Sequence, residues 1–236
     1  MADAPFGAVL AGGESSRYGS PKALATVGGA RIIDRVIEAL RPVAPDVIIS
    51  ANEPELFADL GLPTYPDERP DLGPLGGIYT TLLRAREAGR PGILAVACDM
   101  PFPSVALLAL LRRGAFGPGG DSATVDTGDS GWRWGWGERP DIVVPGSRGP
   151  RGVEPLFAAY STACLPAIDA ALAEGDRRMI GFHERVRVHT IPLDEVAAVC
   201  DPARAFLNVN TPEDRDRAEA MAREADADEG SSGGAS

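Results

Sequence analysis

An apolar run over residues 6–11 leads into Leu10-Ala11-Gly12-Gly13-Glu14-Ser15-Ser16-Arg17-Tyr18-Gly19-Ser20-Pro21-Lys22. A short apolar run that ends in Gly12-Gly13 reads as a buried strand entering a loop. Such a strand delivers bare backbone N–H groups to the carboxyl edge of a sheet. Glycine there lets a phosphate approach where a Cβ would stand in the way. Arg17 and Lys22 add fixed positive charge beside the turn, as a triphosphate requires. A plain strand–loop–helix turn would account for the glycine pair alone; two neighbouring cations with Gly19 favour the phosphate. No Gly-Lys-Ser/Thr follows the first glycines, so this is not a Walker A loop, and no G-x-G-x-x-G dinucleotide fingerprint is present.

The second segment is Ala97-Cys98-Asp99-Met100-Pro101-Phe102. An Asp directly after a buried strand stands where α/β folds bind ligands. One carboxylate there can hold Mg²⁺, which takes few protein ligands and keeps water and phosphate oxygens for the rest. The plainer role for Asp99 is to cap the helix that follows, but Ser104 is itself a good cap. Between the two segments run Tyr65-Pro66-Asp67 and Gly73-Pro74-Leu75-Gly76-Gly77-Ile78, a second Gly-rich loop before a helix and a wall for a base or ribose. His183 and His189 are the only histidines and lack metal spacing. His189 sits in an alternating stretch and reads as a strand side chain. With no G-x-S-x-G and no Cys/His arrangement, a hydrolase built on an activated Ser or Cys has little support. Transfer of a nucleotidyl group to a phosphate needs no such base, because the nucleophile is already ionised; it needs positioning, neutralised charge and a metal.

These loops must be positioned by regular elements. Ile32, Ile33, Val36, Ile37 and Leu40 recur at helical spacing, and residues 47–49 read as a strand. A helix over 79–88, a buried strand over 92–97 and a helix over 105–111 follow. Strands alternating with helices at this spacing predict a three-layer α/β/α fold with a mostly parallel central sheet. Residues 114–138 break the pattern: they are Gly-rich, hold Trp132, Trp134 and Trp136, and read as an inserted surface loop, the tryptophans anchoring it rather than stacking on a ligand. Order returns with strands at 141–144 and 155–160 and helices at 165–173 and 213–225. Residues 1–225 then form one domain, and the acidic, Gly/Ser-rich tail at 226–236 is expected to be disordered.

A chain of 236 residues suits a single domain of this kind. Its formal net charge of −11 argues against a nucleic-acid partner, which rewards clustered Lys and Arg. No apolar run is long enough to span a bilayer, and the start lacks a signal-peptide pattern, so a cytoplasmic location is expected. Cys98, Cys164 and Cys200 are an odd, widely spaced set, expected to be reduced thiols.

Taken together the segments resemble the molybdenum cofactor guanylyltransferases, within the wider nucleotidyltransferases with a Rossmann-like core. The resemblance rests on the Leu-Ala-Gly-Gly…Arg…Gly…Lys start, Gly73-Pro74-Leu75-Gly76-Gly77, and Cys98-Asp99-Met100-Pro101-Phe102. It extends through Glu154-Pro155-Leu156-Phe157, Gly175-Asp176-Arg177-Arg178 and Asn208-Val209-Asn210-Thr211-Pro212-Glu213-Asp214, about residues 6–218 in all. By position it implies GTP held by Leu10, Ala11, Gly12, Gly13 and Lys22, with Asn52 and Asp67 near the guanine or ribose. Asp99 would bind Mg²⁺ at the triphosphate. Arg177, Arg178, Asn208 and Asn210 would face the molybdopterin substrate, and Arg17 and Lys22 would stabilise the transferring and leaving phosphates. The acidic tail and the insertion are expected docking points for molybdoenzymes or cofactor-delivery proteins.

Three other readings stand beside this one. A cytidylyltransferase for the same cofactor would differ in its start and second loop, and Gly12-Gly13 and Pro74-Leu75 favour guanine. Another small-molecule nucleotidyltransferase is disfavoured by Arg177-Arg178 and Asn208-Val209-Asn210. A non-catalytic GTP-binding delivery protein would have no need of Asp99.

Overall fold

The structure is a computed structural model that describes residues 4–12, 24–117, 124–125, 132–133 and 139–232. In chain order it begins with strand β1 (Phe6–Leu10), the short pair β2 (Thr26–Val27) and β3 (Ala30–Arg31), helix α1 (Ile32–Leu40) and β4 (Val47–Ser50). A 3₁₀ segment (Pro54–Leu60) leads to β5 (Thr64–Tyr65), α2 (Pro74–Glu87), β6 (Gly92–Ala97) and α3 (Val105–Phe116). Then come β7 (Thr124–Val125), β8 (Trp132–Arg133), β9 (Ile142–Pro145), β10 (Phe157–Ser161) and α4 (Leu165–Ala173). The chain finishes with β11 (Val188–Ile191), α5 (Leu193–Val199), α6 (Pro202–Ala205) and α7 (Pro212–Ser232).

The main sheet has seven strands in the order β11-β9-β10-β6-β1-β4-β5. β4 and β6 run parallel to β1 on its two sides, with Leu10 level with Ser50 and with Ala97. Only β10 runs against its neighbours β6 and β9. β4 and β6 are buried along their whole length, which is why they read as unbroken apolar runs rather than alternating ones. One face is covered by α1, α3, α5 and α7. Ile32, Ile33, Val36 and Leu40 of α1 are fully buried there, each worth about 1.5–3 kcal/mol. The other face is covered by α2 and α4, through Leu75, Ile78, Leu82, Leu165 and Ile168. This is the three-layer α/β/α arrangement expected from the sequence, with a mostly parallel central sheet.

The differences from expectation have local causes. α2 starts at Pro74, not near Tyr79, so the second Gly-rich loop is mostly the first turns of a helix. Proline suits that first position, and Gly73 before it turns the chain at φ +56. α3 runs on to Phe116, into what read as the inserted loop. Within that loop β7 pairs antiparallel with β8, and the remainder, including the anchoring role given to the tryptophans, lies outside the described residues. α7 continues to Ser232, where a disordered tail from residue 226 was expected; Glu224, Ala225, Ala227 and Glu229 are good helix formers. Residues 233–236 lie outside the described part.

The three cysteines are free thiols. Burial pushes the Cys164 thiol from its ordinary 9.0 up to about 12, so it stays protonated and inert. Among the described residues no helix is long and apolar enough to cross a membrane.

Candidate active site

The chain leaves β1 toward β4 through α1 on one face, and later returns to β6, on the other side of β1, through α2 on the opposite face. Strand order therefore reverses at β1, and the crevice of a doubly wound sheet opens at its carboxyl end. There the Ala11 amide donates to Ser50 O (2.8 Å) and the Cys98 amide to Leu10 O (3.1 Å). Pairing thus runs to the lip of the sheet, and Gly12 is the first exposed residue beyond it. A Cβ built on Gly12 would meet nothing within 4 Å among the described residues. Gly13, Arg17 and Lys22 lie outside the described residues.

Asn52 and Asp67, on the loops after β4 and β5, come together as a bonded pair. The Asp67 amide donates to Asn52 Oδ1 (2.8 Å), and Asn52 Nδ2 donates to Asp67 Oδ2 (3.2 Å). Ser50 Oγ, fully buried, donates to Asp67 Oδ1 (3.2 Å). The sequence reading missed Ser50, because a single hydroxyl at the end of an apolar run carries no motif. Gly76 and Gly77 close the pocket from α2: a Cβ on Gly76 would stand 3.0 Å from Asp67 Oδ2, and one on Gly77 3.2 Å from Ser50 Oγ. Gly76→Ala is therefore expected to push Asp67 off Asn52 and weaken nucleotide binding about tenfold. Stability should fall by no more than about 1 kcal/mol, since alanine is the better helix former. Calorimetric titration beside a melting curve separates the two effects.

Asp99 occupies the tight turn after β6. Ser104 Oγ accepts the Leu107 amide (3.2 Å), so Ser104 caps α3 and the carboxylate of Asp99 is not used for that purpose. The Asp99 carbonyl instead accepts the Val209 amide (2.9 Å), which draws Asn208-Val209-Asn210 to the same corner. The segment after it is held by a capping box. Asp214 Oδ2 accepts the amides of Asn210 (3.0 Å) and Thr211 (2.9 Å), and Thr211 Oγ1 accepts the Asp214 amide (3.1 Å). Burial alone would raise the Asp214 carboxyl; these donors outweigh it and hold it below the ordinary range. Half of the Asn-x-Asn-Thr-Pro-Glu-Asp motif thus starts α7, and the other half is tied through Val209 to the Asp99 turn.

A further carboxylate, Glu154, emerges at this corner. β10 runs antiparallel to β6 with Phe157 level with Val96, and the Ala97 amide donates to Leu156 O (2.9 Å). A turn closed by the Phe157 amide on Glu154 O (3.2 Å) precedes β10, and the Glu154 carboxyl there feels the charge of Asp99. Burial raises the Glu154 carboxyl; the Leu156 amide and the charge of Arg151 pull it down, and the charge of Asp99 raises it further. Among the described residues no group of three or more His, Cys, Asp or Glu side chains converges as a metal cage. One or two carboxylates with amide oxygens nearby suit a hard cation that keeps waters and phosphate oxygens, as Mg²⁺ does.

Arg177 and Arg178 lie in the turn that follows α4. α4 starts beside Pro91, at the far edge of the sheet, and at Asp169 meets Arg69 (2.6 Å) and the Tyr79 hydroxyl (3.0 Å). It therefore delivers the Gly175–Arg178 turn toward the carboxyl edge, on the α2 side, anchored by Met179 and Phe182. Asn208 and Asn210 come in from the α7 side, flanked by the buried Leu207 and Val209. Arg177 is exposed, while Arg178 is paired with Asp176 (2.7 Å).

A doubly wound sheet with a glycine at the lip of β1, a polar pair after β4 and β5 and a carboxylate after β6 defines a nucleotide-binding α/β protein. The MobA-like NTP transferase domain matches residues 7–188. A probable molybdenum cofactor guanylyltransferase of Pelotomaculum thermopropionicum is 36% identical over 216 residues, covering 92% of each chain. The molybdenum cofactor guanylyltransferase of Desulfosudis oleivorans is 32% identical over 219 residues, covering 92% of this chain and 96% of the relative. Among solved structures, molybdopterin-guanine dinucleotide biosynthesis protein A of Archaeoglobus fulgidus superposes with a TM-score of 0.68 at 22% identity, covering 93% and 99% of the two chains. The chain belongs to the MobA-like NTP transferase family, and is a nucleotidyltransferase of the molybdenum cofactor type.

Proposed function

We propose that the protein transfers GMP from GTP to the terminal phosphate of molybdenum-bound molybdopterin, releasing pyrophosphate. The observation that carries this reading is the bond from the Val209 amide to the Asp99 carbonyl, which joins the metal-type turn to the Asn-x-Asn segment. The full-length relatives named as guanylyltransferases support the base and the acceptor.

In this reading Leu10, Ala11, Gly12 and Gly13 receive the triphosphate, and the Asn52–Asp67 pair faces the guanine or ribose. Asp99 would hold Mg²⁺, with the Glu154 carboxylate, which feels the Asp99 charge, beside it. The bound cation neutralises charge on the phosphates. Arg177, Arg178, Asn208 and Asn210 orient the pterin. An oxygen of the pterin phosphate forms the new bond to the α-phosphorus of GTP, the α–β bridging bond breaks, and the electron pair leaves with pyrophosphate. No proton need be removed from the nucleophile, so the chemistry requires no histidine as general base. Lys22 and Arg17 are assigned to the charge on the transferring and leaving groups.

Titrating the protein with GTP, CTP, ATP and UTP, each with Mg²⁺, tests the base. GTP is expected to bind at least about tenfold tighter than the others, from one or two base contacts. Pyrophosphate release on adding molybdopterin then separates a transferase from a binding protein. Preference for CTP would overturn the base while keeping the chemistry.

A further inference from the structure

The Gly175–Arg178 turn is built around one carboxylate. Asp176 Oδ1 accepts the Arg178 amide (3.0 Å) and Arg178 Nε (3.0 Å), and Asp176 Oδ2 accepts the terminal Nη2 (2.7 Å). The Arg178 side chain, then the Arg178 amide, hold the Asp176 carboxyl down at about 2, so it is charged at any working pH. Gly181 closes over the same group: its amide donates to Arg178 O (3.0 Å), and a Cβ on it would stand 2.4 Å from Asp176 Oδ2. The Arg178 side chain is 79% exposed all the same, while that of Asp176 is 22% exposed. Exposed ion pairs add little to stability, so a turn this specific has little to gain in folding energy from the pair. What it does achieve is direction. A free arginine samples many rotamers, whereas this one presents a fixed guanidinium whose Nη1 has no acceptor among the described residues.

We infer that Asp176 is a positioning residue: it pre-orients Arg178, with Gly181 leaving it the room to do so, for a phosphate-bearing acceptor. This rests on the proposed transfer to molybdopterin and adds to it how the acceptor is gripped. The contribution is the ordering cost of one long side chain, removed before binding, equivalent to about a 3- to 10-fold gain in acceptor affinity. It acts on ground state and transition state alike, so KM carries it and kcat does not.

The test is steady-state pyrophosphate release with GTP, Mg²⁺ and molybdopterin for the wild type, Asp176→Ala, Arg178→Ala and the double variant. Asp176→Ala is expected to raise KM for the pterin about 3- to 10-fold, leave kcat and GTP affinity alone, and add nothing once Arg178 is already alanine. Gly181→Ala, which crowds the carboxylate without removing it, should copy the KM effect. Asp176→Asn keeps an oxygen for the Arg178 amide and serves if the alanine variant does not fold. Equal losses with and without Arg178, or losses in kcat and GTP binding, would overturn the positioning role. Absence of release by the wild type itself would sink the transfer reading, and this inference with it.

Discussion

Asp99→Asn is expected to lower turnover about a thousandfold while leaving the chain as stable as the wild type. The two halves of that expectation have separate origins. The fold uses the backbone of Asp99, whose carbonyl accepts Val209, while the cap of α3 comes from Ser104. Asparagine has the same shape and leaves both bonds intact. The chemistry, in contrast, needs the formal charge. An amide oxygen is a far weaker ligand for a hard cation, and losing several kcal/mol of charge stabilisation at the triphosphate corresponds to a factor of this size. Raising Mg²⁺ should recover part of the loss if the cation site is what was damaged. Ser104→Ala is the converse control, expected to cost about 1 kcal/mol of stability with turnover unchanged. If Asp99→Asn kept turnover within tenfold of the wild type, the carboxylate would have no place in the chemistry.

How much of this was legible beforehand depends on how local each signal is. β1, β4, β6 and α1 were read directly, because continuous apolar runs and a 3.6-residue stripe are properties of neighbouring residues. Asp99 was readable for the same reason: a carboxylate next to the end of a buried strand. The resemblance put Asn52 and Asp67 in one neighbourhood, but their bonding to each other was not read, since nothing in either loop announces that β4 and β5 lie side by side. The nearness of Glu154 to Asp99 was not readable, because it depends on β10 running against β6, and strand direction is invisible in a period-two or unbroken apolar pattern. The β2–β3 pair was missed because each strand has only two residues. The start of α2 was placed too late because Gly76 and Gly77 are poor helix formers; close approach to Asp67 and Ser50 keeps them there.

Gly92→Ala is expected to destabilise the protein by about 3 kcal/mol, the upper range for overpacking, lowering the melting temperature by roughly 6–12 °C for a chain of this size. Gly92 begins β6, level with Ser161 of β10. A Cβ there would stand 2.1 Å from the Tyr160 carbonyl oxygen and 2.9 Å from the Phe116 ring. The ring can turn aside, but the carbonyl is backbone at the fully buried Tyr160 and cannot move without breaking the pairing. Phe116→Ala in the same chain should therefore recover little. The consequence reaches the far end of the strand. β6 ends in Asp99 and β10 begins just after Glu154, so a shift between these two strands alters the spacing of the carboxylates at the crevice. Activity measured well below the melting point should fall along with stability, whereas Gly76→Ala, acting on the Asn52–Asp67 pair, should weaken nucleotide binding and leave the melting curve almost in place. A Gly92→Ala variant with wild-type denaturant sensitivity would show that β6 and β10 approach less closely than 2.1 Å implies.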